Sequence, residues 1–256
     1  MRLTLSCEKG GVGKTALAAC LARSFAGRGM KILFVDLDVQ GNGSDALADC
    51  QAAGSTKDLF GAALDAGNVP QEDGGMIAVC KADPSLADLG QDDIAAFSAQ
   101  ADANLRIFEE KGFAIVIDTP PTLGATLVTA LLISDQVLIP VEPEGSSISG
   151  AANVAVTVRN LQRLRPSLKL MGIVVNRMKR RPRQIRNLSE IRSNPILGRM
   201  ILPQEITDRD SIAESVSDHV PLKALARKRT AARKACAEIE GLAGLVMAKW
   251  TASAHA

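Results

Sequence analysis

The stretch Lys9-Gly10-Gly11-Val12-Gly13-Lys14-Thr15 constrains this chain more than any other. A short apolar run, residues 2–6, precedes it. After it, Ala16, Leu17, Ala18, Leu21, Ala22 and Phe25 recur at helical spacing until Gly27 and Gly29. A glycine-rich turn between a strand and a helix is a phosphate loop. Glycines let the backbone curl so that successive N–H groups point inward at phosphate oxygens. The helix adds the positive end of its dipole. The rest of the chain follows the same alternation. Lys31–Asp36, Met76–Lys81, Phe113–Asp118 and Gln136–Val141 are apolar runs of the buried parallel kind, as are residues 170–176 and 197–202. Helical patterns lie near 91–111, 122–133, 146–164, 183–193 and 222–249, and two short surface helices are expected within 41–75. The expected fold class is α/β, a doubly wound, mostly parallel sheet with helices on both faces.

Composition agrees. With six Phe, one Trp and no Tyr, the core must be built from Ala, Val, Leu and Ile. Cysteines at 7, 20, 50, 80 and 236 are odd in number and widely spaced. That reads against a disulfide framework or a paired-cysteine metal site and for a reducing, cytoplasmic setting. No apolar leader segment opens the chain, and no uncharged apolar run is long enough to span a membrane. The net charge of +2 hides an asymmetry. Residues 1–175 carry 14 basic and 20 acidic side chains; residues 176–256 carry 16 and 8. A basic final third on an acidic body points to one face for a polyanion.

Three further groups belong with the loop. Lys14 is placed to neutralise the β- and γ-phosphates of a nucleotide, and the Thr15 hydroxyl to take a Mg²⁺ coordination position. Asp36 and Asp38 sit at i and i+2 at the end of the second strand, so both face the same side. That is the carboxyl end, where open α/β sheets bind ligands. Residues 113–118 form an apolar strand closed by Asp118, the form of a carboxylate that holds Mg²⁺, here through water.

Lys9 is an additional feature. The form KGGxGK[ST], with a lysine at its start, together with Asp36-Leu37-Asp38-Val39-Gln40-Gly41-Asn42 and Asp118-Thr119-Pro120-Pro121, resembles the deviant phosphate-loop ATPases of the ParA/MinD type. The resemblance covers nearly the whole chain. Residues 209–214 with Val220-Pro221, and residues 229–235, are similar to the IncC-type partition proteins of broad-host-range plasmids. It implies a single P-loop ATPase domain over 1–256, of the short form without a separate N-terminal DNA-binding module. It implies ATP and Mg²⁺ as cofactors. Lys9 is expected to cross to the nucleotide of a partner subunit in an ATP-bound homodimer, Asp38 to position the attacking water, and Asp36 to support the Mg²⁺ shell. Lys9, Lys14 and Asp38 are thus the catalytic set. Lys9, Gly10, Gly11, Val12, Gly13, Lys14, Thr15 and Ala16 line the nucleotide, with Asn176 at the adenine edge and Pro203 in the segment packed on the base. Two departures stand out. Val39 replaces the usual proline, and Ala16 stands where many relatives have a second threonine, which removes one α-phosphate contact.

The family implies nonspecific binding of double-stranded DNA by the ATP dimer, release on hydrolysis stimulated by a ParB-like centromere-binding protein, and a cytoplasmic, nucleoid-associated location. The charge map fits. Lys179, Arg180, Arg181, Arg183, Arg186, Arg209, Arg227, Lys228 and Arg229 are the expected DNA contacts. The basic stretches contain no aromatic side chain, so duplex backbone is preferred over stacked single strands. The alternative is a MinD-like or other positioning ATPase acting on a membrane or protein cluster. Its membrane form needs an amphipathic C-terminal helix; Ile239, Leu242, Leu245, Val246 and Trp250 have the spacing, but a stripe of this kind also packs on a sheet, and residues 251–256 lack the basic residues of an anchor. A reductase of the nitrogenase iron-protein type would need cysteines placed to bridge a dimer, and a bacterial tyrosine kinase would need tyrosines. His219 and His255 are expected to be bystanders.

Overall fold

The computed structural model describes residues 1–72, 74–88, 90 and 94–254. Eight strands form one sheet: β1 (Arg2–Leu5), β2 (Lys31–Asp36), β3 (Gln51–Ser55), β4 (Met76–Lys81), β5 (Phe113–Asp118), β6 (Gln136–Val141), β7 (Lys169–Met178) and β8 (Ile201–Thr207). Their order is β3-β4-β2-β5-β1-β6-β7-β8, and every pairing is parallel. The chain leaves β1 towards β2, and later passes from β5 over β1 to β6. The winding therefore reverses around β1, which puts the ligand crevice at its carboxyl end.

Alternate residues of the central strands serve two faces. Ile32 and Phe34 pack with α1 (Lys14–Ala26) and with α11 (Thr230–Ala254), while Leu33 and Val35 pack with α4 (Ile94–Glu110). Over β6, Val137, Ile139 and Val141 meet α5 (Ala125–Leu132) and α6 (Gly145–Leu161). Both faces are covered, so the strands are apolar throughout. The stripe on α11 goes to the first face. Ile239, Leu242, Val246 and Trp250 are buried, and the Trp250 ring stands 6.2 Å from that of Phe25. It is core, not a membrane-facing surface. Among the described residues no helix is long and apolar enough to cross a membrane.

The structure departs from the sequence expectations at four places. Residues 41–75 contain the two short helices, α2 (Asn42–Ala46) and α3 (Thr56–Phe60), but also the edge strand β3 between them. Residues 197–202 are not one strand: Leu197–Met200 is a helical turn, α8, and β8 begins at Ile201. A further helix, α9 (Asp210–Ser217), follows β8. The helix expected over 222–249 is broken at residues 227–229 into α10 (Leu222–Ala226) and α11. The helix expected over 183–193 is present as α7 (Pro182–Ser193). Residues 91–93 and His255 lie outside the described residues.

Candidate functional site

The phosphate loop turns from β1 into α1 at the switch point. Gly11 and Gly13 take left-handed φ values of 79° and 77°. A Cβ on Gly13 would sit 2.8 Å from the Asn176 amide nitrogen, so glycine is required there for space as well as conformation. Residues 9–16 line a cleft of about 630 Å³ together with Asp38, Gln40, Asn42, Asp45, Pro121, Arg177 and His219. His219, expected as a bystander, is part of that wall. A second, smaller cavity of about 210 Å³ adjoins it, bounded by Gly13, Ala16, Leu17, Asn176 and Arg177 on one side. Residues 206–209, Ile212, Ala213 and Ile239 close the other.

Charge in the cleft is arranged around Asp118. Its ladder neighbour on β2 is Asp36, and both are completely buried. Lys14 Nζ stands 3.4 Å from Asp118 Oδ1, and among the described residues neither Asp118 oxygen accepts a close, well-aligned hydrogen bond. Burial pushes the Asp118 carboxyl up, and the Lys14 ammonium acts against it. Asp36 is different. Its Oδ2 accepts from the Ser44 N–H at 2.6 Å and the Ser44 hydroxyl at 2.8 Å, and its Oδ1 from the Asp38 N–H at 3.2 Å. Burial, with the charge of Asp118 behind it, pushes Asp36 up to about 6 against those bonds. Asp36, which the sequence places in support of the Mg²⁺ shell, holds α2 and Asp38 through these bonds. Asp38, also buried, accepts from the Gln40 N–H at 3.0 Å and faces the cleft.

Asn176 and Pro203 separate. The Asn176 amide donates to Val12 O at 2.8 Å, so it braces the phosphate loop and bounds the smaller cavity at once. Pro203 does not bound it. It lies exposed within the edge strand β8, where a residue without an N–H is tolerated. The strand runs four residues past it, and residues 206–209 do the lining. Lys9, half-buried, has its Nζ 3.9 Å from Glu144 Oε2, at the start of α6.

The basic residues sort into two groups. Lys179 pairs with Asp208 and Glu142, Arg180 with Glu205, Arg209 with Glu238 and Arg229 with Glu214. Arg181, Arg183, Arg186, Arg227 and Lys228 are exposed and have no ion pair among the described residues. The first three lie at the start of α7, the last two in the break between α10 and α11.

A family profile described as "AAA domain" matches residues 2–170. Protein IncC of Escherichia coli is 34% identical over 250 residues, which cover 96% of this chain and 69% of that protein. The chain belongs to the ParA/MinD family of P-loop ATPases. The chromosome-partitioning ATPase Soj of Thermus thermophilus is also 34% identical, over 68% of each chain. Apo McdA of Cyanothece shares the fold with a TM-score of 0.78 at 18% identity, over 96% of this chain and 98% of its own. A ParA/MinD ATPase works on a Mg²⁺-bound nucleoside triphosphate, and the residues here fit one. Two left-handed glycines curl the loop, Lys14 is inside it, and the buried Asp118 carboxylate, paired only with Lys14 among the described residues, is chemically suited to a hard cation. Among the described residues no group of three or more His, Cys, Asp or Glu could hold a metal by itself.

Sequence reading missed Arg177 and Asp208 as site residues. Arg177 Nη1 donates to Gly11 O at 2.5 Å, and its Nε to Asp208 Oδ1 at 3.2 Å. The available signal was the chemical type of Arg177, directly after Asn176 at the end of a strand.

Proposed function

We propose that this chain is a partition ATPase. Two copies close on two ATP molecules, the dimer binds duplex DNA without sequence preference, and hydrolysis stimulated by a ParB-like centromere-binding protein releases it. In this reading the chain acts in the cytoplasm at the nucleoid. The backbone N–H groups of residues 10–15 and Lys14 hold the phosphates. The Thr15 hydroxyl and Asp118 would hold Mg²⁺, which would supply charge neutralisation at the phosphates. Asp38 orients the attacking water, and Asp36 fixes Asp38 by accepting its N–H. The Asn176 carbonyl oxygen is an acceptor suited to the adenine amino group, since the amide nitrogen is spent on the loop. Lys9 reaches the partner's nucleotide after leaving Glu144.

What supports the DNA step best is the group of exposed cations without an ion pair among the described residues, Arg181, Arg183, Arg186, Arg227 and Lys228. Cations already paired within the chain give up that pairing to meet phosphate; these five do not, and they release DNA counterions at full effect. Arg183→Glu is expected to weaken ATP-dependent binding to a random duplex by tenfold or more in a filter or anisotropy assay. Wild-type affinity in that variant removes α7 from the interface. For the dimer, light scattering should show doubling of mass with ATP and Mg²⁺ and none in Lys9→Ala.

A further inference from the structure

The end of β7 leads to the basic helix through two non-glycine residues in the left-handed region, Arg177 at φ 52° and Arg180 at φ 53°. Each such residue costs about 1 kcal/mol and persists where its surroundings impose it. The Arg177 side chain is held by Asp208, just beyond β8. Its Oδ1 lies 3.2 Å from Arg177 Nε and its Oδ2 3.4 Å from Lys179 Nζ. On one side the guanidinium continues to Gly11 O inside the phosphate loop. On the other, the Lys179 N–H donates to Gln184 Oε1 at 2.7 Å, and Gln184 is a buried residue in the first turn of α7. One connected path therefore runs from Gly11 through Arg177, Asp208 and Lys179 to Gln184. The next turn of the helix is fastened separately, by Asn187 Nδ2 donating to Pro143 O at 3.0 Å.

We propose that Asp208 is a positioning residue that ties the phosphate loop to α7, so that nucleotide in the loop changes the placement of the helix carrying Arg183 and Arg186. The carboxylate is shared between two cations, and one of them borders the nucleotide cleft. Phosphate is a strong acceptor for guanidinium. When a triphosphate enters, it competes with Gly11 O and Asp208 for Arg177, which lines both cavities. Asp208 is then left to Lys179 alone, the β7–α7 connection loses one of its constraints, and the first turn of α7 moves with it. This rests on the nucleotide reading of the loop and does not require that DNA bind.

Hydrogen–deuterium exchange over residues 177–193 tests it, with and without a saturating nonhydrolysable ATP analogue and Mg²⁺, in wild type, Asp208→Asn and Asp208→Glu. The expected result is a change in exchange rate of threefold or more on nucleotide binding in wild type, its loss in Asp208→Asn, and recovery of at least half in Asp208→Glu. Lys179→Met cuts the same path from an exposed position, serves if Asp208→Asn fails to fold, and should lose the response too. A nucleotide response in Asp208→Asn equal to wild type overturns the proposal. So does a purely structural effect, in which the variant exchanges faster but responds to nucleotide as before. Binding of a fluorescent ATP analogue is measured alongside. A wild-type chain that binds no nucleotide defeats the underlying reading, whereas one that binds it with no change over 177–193 defeats this proposal alone.

Discussion

The two ends of the sheet both bury charge, and they handle it in opposite ways. At the amino end, Arg2 is 2% exposed; it donates to Ile133 O at 3.0 Å and Glu109 Oε2 at 2.9 Å and also reaches Asp102. Arg165 pairs with Asp102 and Asp135, and the Arg2 N–H donates to Asp135 Oδ2 at 2.9 Å. Burial alone would push Asp102 and Glu109 up, but Arg2 overrides it and holds both below their ordinary values. At the carboxyl end, Asp36, Asp38 and Asp118 are buried with one lysine, Lys14, and among the described residues Asp118 accepts no close hydrogen bond. The first arrangement pairs each of its carboxylates with a cation of the chain itself and serves stability. The second gathers three buried carboxylates around one lysine in the cleft, the kind of charge arrangement found at binding sites.

The comparison breaks most visibly at Arg2. Arg2→Ala leaves Asp102 and Glu109 without their buried partner and is expected to destabilise the chain by about 3–5 kcal/mol in urea unfolding. A loss under about 1 kcal/mol would mean that the amino-end network is not structural. The counterpart is Asp38→Ala, for which hydrolysis should fall by about 10²–10³-fold with stability changed by less than about 1 kcal/mol. Normal turnover in that variant removes the water-positioning role.

Titration sharpens the contrast. Asp36 moves from its ordinary 3.8 to about 6 on folding, so between about pH 4 and 6 the folded chain holds a proton that the unfolded chain has lost. Stability without nucleotide is expected to fall with rising pH across that window, by up to about 1.4 kcal/mol per unit, and to level off above it. Asp102 and Glu109 act with the opposite sign. Their lowered values add stability above the ordinary carboxylate range, and it is lost as pH falls below about 4. Asp36→Asn should flatten the slope between pH 4 and 6; an unchanged slope would place its cause elsewhere. The smallest effect concerns the surface. Arg183→Gln should lower the salt slope of DNA binding by about 1, and Arg180→Gln, which removes a cation already paired with Glu205, by less. Equal effects would erase the distinction between free and paired arginines.

The central elements and the phosphate loop were legible because their signals are contiguous. Glycines, lysine and threonine lie within seven residues, and Asp36 and Asp118 each close an apolar run. What was not legible depends on distant parts of the chain. Gln51–Ser55 contains no β-branched or aromatic residue, and only its pairing with β4 makes it a strand. Leu197–Met200 is apolar enough to pass for a strand, so β8 and Pro203 fell out of register. Asp36 and Asp38 look equivalent in sequence, and Ser44 distinguishes them only once α2 folds back. Arg177 and Gly11 are 166 residues apart, and no local pattern announces that contact.

The most direct test of the account is the binding of this chain to a random-sequence duplex across a salt series, with ATP, with ADP and without nucleotide, in the presence of Mg²⁺. Tight binding is expected with ATP and not with ADP or without nucleotide, weakening steeply and linearly in a log–log plot as salt rises. Equal affinity with ADP, or binding indifferent to salt, would contradict it.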